Sequence, residues 1–242
     1  MRFREYLNEF LSLLSFLTVI PTGQGDIVKA ASGFYLVPVI GLLEGGIGSL
    51  PFLAGKTLLT VSLAIALLSL ITGFNHIDGY LDFFEAVMSR GADPVAVLKD
   101  KHRGSFAIAA GLILFSILIS SISSSRIDPF VQVIESSTSA AFSMYVLSLM
   151  SEPIHEGLGR LFIAASKNRA KSIASLMIYI ISIILISRSI IILLILMAET
   201  ILAALMALLI ATKRIGFVNG DALGFTYELT LMITMATTAF IS

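Results

Sequence analysis

The sequence predicts an all-α, polytopic membrane protein. It reads as one domain over residues 1–242, with about seven transmembrane helices and an amphipathic or partly inserted helix at the N-terminus. Three observations carry this reading. Hydrophobic residues make up 57% of the chain and the mean hydropathy is +0.96. Charged residues make up only 13%, where a soluble domain averages roughly 25%. Apolar runs repeatedly reach or approach the about 20 residues that cross a bilayer. The alternative, a soluble all-helical core, would need far more polar surface than this composition supplies.

Composition also excludes whole classes of chemistry. There is no cysteine, so disulfides, thiolate metal sites and cysteine nucleophiles are out. The formal net charge is zero, which leaves no basic footprint for nucleic acid. The expected partners are therefore the lipid bilayer and small molecules. Arg2 and Arg4 precede an apolar stretch broken by Glu5, Asn8 and Glu9. No small-residue cleavage site follows, so no cleavable signal is expected.

Taken in order, residues 3–20 place Phe3, Leu7, Phe10, Leu11, Leu14 and Leu17 at helical spacing and end at Pro21. Such a helix can lie on the membrane surface. The expected spans cover residues 33–55, 57–74, 105–123, 129–150, 171–186, 189–211 and 222–241. The first holds Gly41, Gly45, Gly46 and Gly48, small residues that let helices approach closely. Loop charges orient the set. Thirteen Lys and Arg fall on one side and only Lys56, Arg126 and Arg188 on the other. The positive-inside rule then places loops 76–104, 151–170 and 212–220 in the cytoplasm of a multi-pass cell-membrane protein.

The stretch directly after the second span carries the strongest chemistry. Residues 76–85 read His-Ile-Asp-Gly-Tyr-Leu-Asp-Phe-Phe-Glu. If the preceding helix continues, Asp78, Asp82 and Glu85 stand at i, i+4 and i+7, with neighbours about 5–6 Å apart at Cβ. Ionised carboxylates so placed repel each other, and an oxygen-ligated Mg²⁺ is the best-fitting partner. A merely solvated acidic helix end is the plainer alternative. Tyr80, Leu81, Phe83 and Phe84 speak against it by leaving little polar face.

Three further segments lie on the same expected side. Residues 98–106 surround Asp100 with Lys99, Lys101, His102 and Arg103 just before a helix, a suitable place for phosphate. Ordinary positive-inside residues would give the same pattern. Residues 155–163 begin His-Glu-Gly-Leu-Gly, where Gly157 and Gly159 suit a loop whose backbone approaches a ligand. A plain helix-ending turn is the alternative. Residues 219–228 set Asp221 and Glu228 two turns apart. Glu228 lies inside an apolar helix, where an ionisable group is a functional candidate by default. Asp221 could instead serve only as an N-cap. Glu44 and Glu199 also fall inside spans; for Glu199 a structural hydrogen bond to a neighbouring helix is the expected role.

These segments together resemble the cobalamin synthase (adenosylcobinamide-GDP ribazoletransferase) family. Residues 76–86 are similar to its signature His-Leu-Asp-Gly-Leu-Ala-Asp-x-x-Asp-Gly, with Glu85 for the third Asp and Ala86 for the Gly. Asp100 and Gly104 match its Lys/Arg-Asp-Ser-Arg-x-Gly segment, with His102 where Arg is usual and Arg103 one place later. Glu156-Gly-Leu-Gly and the Gly-Asp-x-x-Gly-x-x-x-Glu-Leu of residues 220–229 match in turn, as does the Pro-x-x-Gly-Leu of 38–42. Val19 stands where Arg is common.

The resemblance implies a reaction. A Mg²⁺-dependent transfer moves the adenosylcobinamide phosphoryl group from adenosylcobinamide-GDP to α-ribazole or its 5′-phosphate. The products are adenosylcobalamin or its 5′-phosphate, and GMP. It implies Asp78, Asp82, Glu85 and Asp221 around the metal. It implies Lys99, Asp100, Lys101, Arg103, Glu156 and Glu228 around the donor, and leaves open a homo-oligomer or a complex with other cobalamin-assembly enzymes. His76, two residues before Asp78, is the expected proton acceptor, with Asp82 as the other catalytic group; the alternative is that Asp82 or Glu85 takes the proton and His76 only orients Asp78. Two rivals fit less well. A CDP-alcohol phosphotransferase needs Ala-Arg soon after Asp-Gly, where Asp82-Phe83 stands. An ion- or proton-coupled transporter using Glu44, Glu199 and Glu228 would be expected to show repeat symmetry.

Overall fold

The computed structural model describes residues 2–100, 102, 104–153 and 157–241, apart from the side chains of Arg2 and Phe3. Its described residues form α-helices, short 3₁₀ turns and no strand. The helices are α1 (Arg2–Leu17), α2 (Ile27–Ser32), α3 (Val37–Gly48), α4 (Leu58–Ile71), α5 (Asn75–Met88), α6 (Pro94–Lys99), α7 (Ser105–Ser124), α8 (Pro129–Met150), α9 (Gly159–Ser166), α10 (Arg169–Ser187), α11 (Ile190–Arg214) and α12 (Gly220–Phe240).

Their starts follow local chemistry. Asp26, Asp93, Asp128, Asn168, Ser189 and Asn219 each precede a helix and accept backbone N–H groups of its first turn. Thr57 and Thr60 form a reciprocal capping box at α4, which satisfies donors that have no partner within the helix. Pro94 and Pro129 open α6 and α8, where a missing N–H costs nothing.

Helices α8 and α12 form the centre. Nearly every residue of α8 from Gln132 to Ser148 is buried, as is α12 from Ala222 to Leu231. Helix α3 seats on α8 through glycines. A Cβ on Gly41 would lie 2.6 Å from the Ser137 carbonyl oxygen, and one on Gly45 would lie 2.7 Å from the Ile134 Cα. The expected small-residue packing is therefore present at these two positions, whereas Gly46 has nothing within 4 Å. Along α12, the hydroxyls of Thr226, Thr230, Thr234 and Thr238 each donate to the carbonyl four residues back, at 2.7–2.9 Å. Threonines at this spacing satisfy their own hydroxyls, so a polar row can be buried in a membrane protein.

Four helical segments are long and apolar enough to cross a membrane: Ile27–Ala54, Ser105–Ser124, Arg169–Ser187 and Ile190–Arg214. The bent pair α4–α5 adds a fifth if counted as one broken span. The expected count of seven is reached only by adding α8 and α12. They are long enough, but their polar residues face neighbouring helices rather than lipid. The N-terminal helix is amphipathic, although Leu7, expected on its apolar face, is 43% exposed. Glu9 pins it down instead. Its carboxylate accepts from Ser32 Oγ at 2.6 Å and pairs with Lys171 Nζ at 3.2 Å.

Candidate active site on helices α5 and α12

The helix of the second span does not run on into the acidic segment. It breaks at residues 72–74, where Gly73 (φ 61°) and Phe74 (φ 59°) both take left-handed backbone, and α5 leaves at 89° to α4. Gly73 adopts that conformation at no steric cost; Phe74 does not. The Val19 N–H donates to the Ile71 carbonyl at 2.8 Å, tying the end of α1 to the break. Because α5 restarts at Asn75, Asp78, Asp82 and Glu85 share one helix after all, and the expected i, i+4, i+7 spacing holds on it.

Helix α12 crosses α5 glycine on glycine. A Cβ on Gly79 would lie 3.2 Å from both the Cα and the carbonyl oxygen of Asp221. One on Gly224 would lie 2.9 Å from the His76 carbonyl oxygen and 3.1 Å from the Gly79 Cα. Tyr80 stacks on Phe225 beside the crossing at 5.5 Å between ring centres, and Phe83 meets the same ring tilted at 4.5 Å. Both glycines are needed for this approach, and it sets the first turn of α12 against the first turns of α5. Asp221 is not the cap of α12. Asn219 takes that role, accepting from the Ala222 N–H at 3.0 Å, and its amide donates to Asp221 Oδ2 at 2.7 Å. Asp78 is exposed, while Asp82 and Asp221 are half-buried. None of the three is without a partner.

The donor set has the hard-oxygen chemistry that suits Mg²⁺. Among the described residues, however, no three His, Asp or Glu side chains stand close enough to form a ready-made metal site. Glu85 has a separate task. Its Oε2 accepts the Ala107 N–H at 2.7 Å, and its Oε1 accepts from Ser89 Oγ at 3.3 Å. Helix α7 begins after Gly104, which has no side chain to cap it, and Glu85 supplies the missing acceptor from α5. Any Cβ at 104 would collide with that carboxylate.

Lys99 ends α6 and is exposed, as is Asp100. The backbone N–H of His102 donates to Asp100 Oδ1 at 3.0 Å, and the His102 ring Nδ1 lies 2.8 Å from the same oxygen. The backbone hydrogen bond first, and the ring second, hold the Asp100 carboxyl below its usual range. Lys101, Arg103 and Glu156 lie outside the described residues. Arg214 Nη2 donates to the Val87 carbonyl at 2.7 Å, which holds the end of α11 to the end of α5.

His76 is buried, stacks on Tyr227 at 4.0 Å, and its Nε2 has no hydrogen-bond partner among the described residues. Tyr227 in turn donates to Glu44 Oε2 at 2.9 Å. Glu228 is 4% exposed, in a small space between Ile77 and Thr72. Glu199 is half-buried on α11, with its Oε2 enclosed and without a hydrogen-bond partner among the described residues. Beside His76 opens a cavity of about 370 Å³, lined by Phe16, Phe34, Met144, Phe162, Leu223 and the His76 ring itself. Sequence reasoning missed this cavity, because its walls come from six separate segments. It also missed Gln132 and Glu135, buried on α8 with an unpartnered Oε1 each. The run Glu135-Ser-Ser-Thr-Ser inside a membrane-length helix was the available signal.

The sequence profile of cobalamin-5-phosphate synthase matches residues 9–239. The chain belongs to that family. Among its relatives is the adenosylcobinamide-GDP ribazoletransferase of Thermococcus kodakarensis, 26% identical over 95% of this chain and 97% of the relative. The enzyme of the same name from Pyrobaculum islandicum is 30% identical over 93% of this chain and 92% of the relative. The one from Saccharolobus solfataricus is 32% identical, over 65% and 66%. No solved structure matches. Membership of the cobalamin-5-phosphate synthase family agrees with the resemblance carried by residues 76–86 and 220–229. The structure places those two segments on the two helices that cross at Gly79 and Gly224.

Proposed function

We propose that this chain completes the nucleotide loop of cobalamin. It transfers the adenosylcobinamide phosphoryl group from adenosylcobinamide-GDP to α-ribazole or its 5′-phosphate. The acceptor's 5′ oxygen forms a bond to the cobinamide-linked phosphorus, the bond from that phosphorus to the GMP oxygen breaks, and GMP leaves. The observation that carries the reading, beside family membership, is the glycine crossing that sets the Asp221 backbone against Gly79, next to Asp78.

Asp78, Asp82 and Asp221 would hold Mg²⁺, with Glu85 behind them fixing α5 to α7. When bound, the ion neutralises charge on the pyrophosphate and on departing GMP. His76 takes the proton of the attacking hydroxyl at its unpartnered Nε2, and Asp82 is the second catalytic group. Lys99, Lys101 and Arg103 bind the donor pyrophosphate. Glu156 completes the donor site, and Glu228 supports it from inside the bundle. The thirteen-to-three distribution of Lys and Arg supports a cell-membrane protein with this face in the cytoplasm.

Purified protein in detergent or nanodiscs, given adenosylcobinamide-GDP, α-ribazole and Mg²⁺, should release GMP and form adenosylcobalamin. Chelation should stop both. No GMP above background with either acceptor would overturn the reading; turnover untouched by EDTA would remove the metal from it.

A further inference from the structure

We infer that the cavity beside His76 seats the aromatic base of the acceptor, and that Phe16, Phe34 and Phe162 decide which bases are accepted. The inference rests on the transfer reaction proposed above and assigns it a subsite.

One side of the cavity is an aromatic wall. Phe16 and Phe162 stack at 4.9 Å with 25° between their planes, and Phe34 meets Phe162 edge-on at 5.1 Å. Phe34 and Phe162 are 2% and 3% exposed, whereas Phe16 is 37% exposed and stands at the rim. Leu223 and Met144 close the remaining wall. Flat rings bind well against such surfaces.

Size and polarity choose among the flat groups that the reaction handles. About 370 Å³ lies near the small end of ligand pockets, roughly 300–1,000 Å³. It admits a bicyclic base and not a corrin macrocycle. The donor's guanine would also fit by size, but its edge carries several donors and acceptors. Among the described residues, Asn75 and His76 are the only ones with polar side chains that line the cavity. A guanine there would leave buried polar groups unpaired, at a cost on binding. A benzimidazole with only methyl substituents loses nothing of the kind.

Position decides the rest. His76 lies two residues before Asp78, and Gly220, also on the wall, directly precedes Asp221. A nucleoside whose base sits among the phenylalanines therefore has its ribose toward the acidic helices. His76 borders the same wall; the residue is 4% exposed, and its enclosed Nε2 has no hydrogen-bond partner among the described residues. The cavity thus borders the first turns of α5 and α12, the helices that carry Asp78 and Asp221.

The test compares wild type with Phe16→Ala, and with Phe16→Leu, which keeps the apolar bulk of the rim if the alanine variant does not fold. Equilibrium binding of α-ribazole, without donor, should weaken about tenfold when the ring is lost. In turnover at saturating donor, the KM for α-ribazole should rise by a similar factor, with the KM for adenosylcobinamide-GDP unchanged. Leu223→Asn should narrow the preference for the dimethylbenzimidazole riboside over the α-riboside of adenine. Unchanged riboside binding in the Phe16 variants, or a rise in donor KM instead, would overturn the assignment while GMP release continued. Absence of GMP release in the wild type would instead remove the reaction, and the subsite with it.

Discussion

Gly224 of α12 rests on Gly79 of α5 so closely that a methyl group on the first would come within 3.1 Å of the Cα of the second. Both neighbours are backbone, which cannot turn aside as a side chain can. Gly224→Ala should therefore push the helices apart and cost about 1–3 kcal/mol of stability, with activity falling further as the aspartates separate. Gly46, which has nothing within 4 Å, is the contrast. Gly46→Ala should stabilise by about 0.5–1 kcal/mol through helix propensity alone. Thermal unfolding in one detergent measures both; a Gly224→Ala variant as stable as wild type would refute the crossing as drawn.

Glu85 holds the N-terminus of α7 through the Ala107 N–H at 2.7 Å. Loss of an N-terminal acceptor costs about 0.5–2 kcal/mol. Glu85→Ala should lose that much and expose the Ala107 amide to hydrogen exchange. Glu85→Gln, which keeps an acceptor oxygen, should protect that amide nearly as well as wild type and keep much of the activity. A Gln variant that is inactive with full amide protection would instead make Glu85 a metal ligand.

Tyr227 donates to Glu44 Oε2, while Glu44 Oε1 has no partner among the described residues and the residue is 1% exposed. Tyr227→Phe takes away the one side-chain donor given to this buried carboxyl and should cost about 1–3 kcal/mol. Replacing the carboxyl as well, in Tyr227→Phe with Glu44→Leu, should recover most of the loss, since removing both partners leaves no orphan. A double variant as unstable as the sum of the singles would show that the pair does not interact.

Much of this architecture was legible in the chain, and what was not has physical causes. The carboxylate spacing of α5 was readable because side-chain period is local. Its direction was not. Gly73 signalled a break, but the left-handed Phe74 that completes the 89° turn carries no propensity signal. Glu85 reads as a third ligand on its own helix. Only the capless start of α7 at Gly104, 19 positions on, explains where its carboxylate goes. The alternative that Asp221 is only a cap falls away once Asn219, two residues earlier, is seen to accept from Ala222. The polar faces of α8 and α12 lower their hydropathy because the structure buries them, so a count of apolar runs undervalues the two central helices.

Orientation can be checked without disturbing the site, because the chain has no native cysteine. Ala92 and Ala54 are both exposed, in the turn after α5 and in the turn before α4. In sealed vesicles of known sidedness, Ala92→Cys should react with an impermeant maleimide only from the cytoplasmic side, and Ala54→Cys only from the exterior. The reverse pattern would turn the charge-based orientation over.

The last prediction separates the two catalytic assignments. Asp82 lies one turn beyond Asp78 on α5, half-buried toward the crossing with α12. Asp82→Asn keeps the volume of the side chain and removes its charge. If Asp82 ligates the ion, kcat should fall by more than the roughly 10–100-fold that loss of an outer partner brings, and the Mg²⁺ concentration for half-maximal rate should rise. His76 acts differently. Its ring is fixed by Tyr227 at 4.0 Å and its Nε2 lacks a partner. A general base contributes about 10²–10⁴-fold, all of it in the chemical step. His76→Ala should then lower kcat in that range while donor KM and Mg²⁺ dependence stay near wild type, the pattern of an interaction made only in the transition state. His76→Gln, which fills the same space against Tyr227 without a basic nitrogen, should be as slow as the alanine variant. Recovery of activity in His76→Gln would show that the residue only props the site open, and the proton would then go to Asp82.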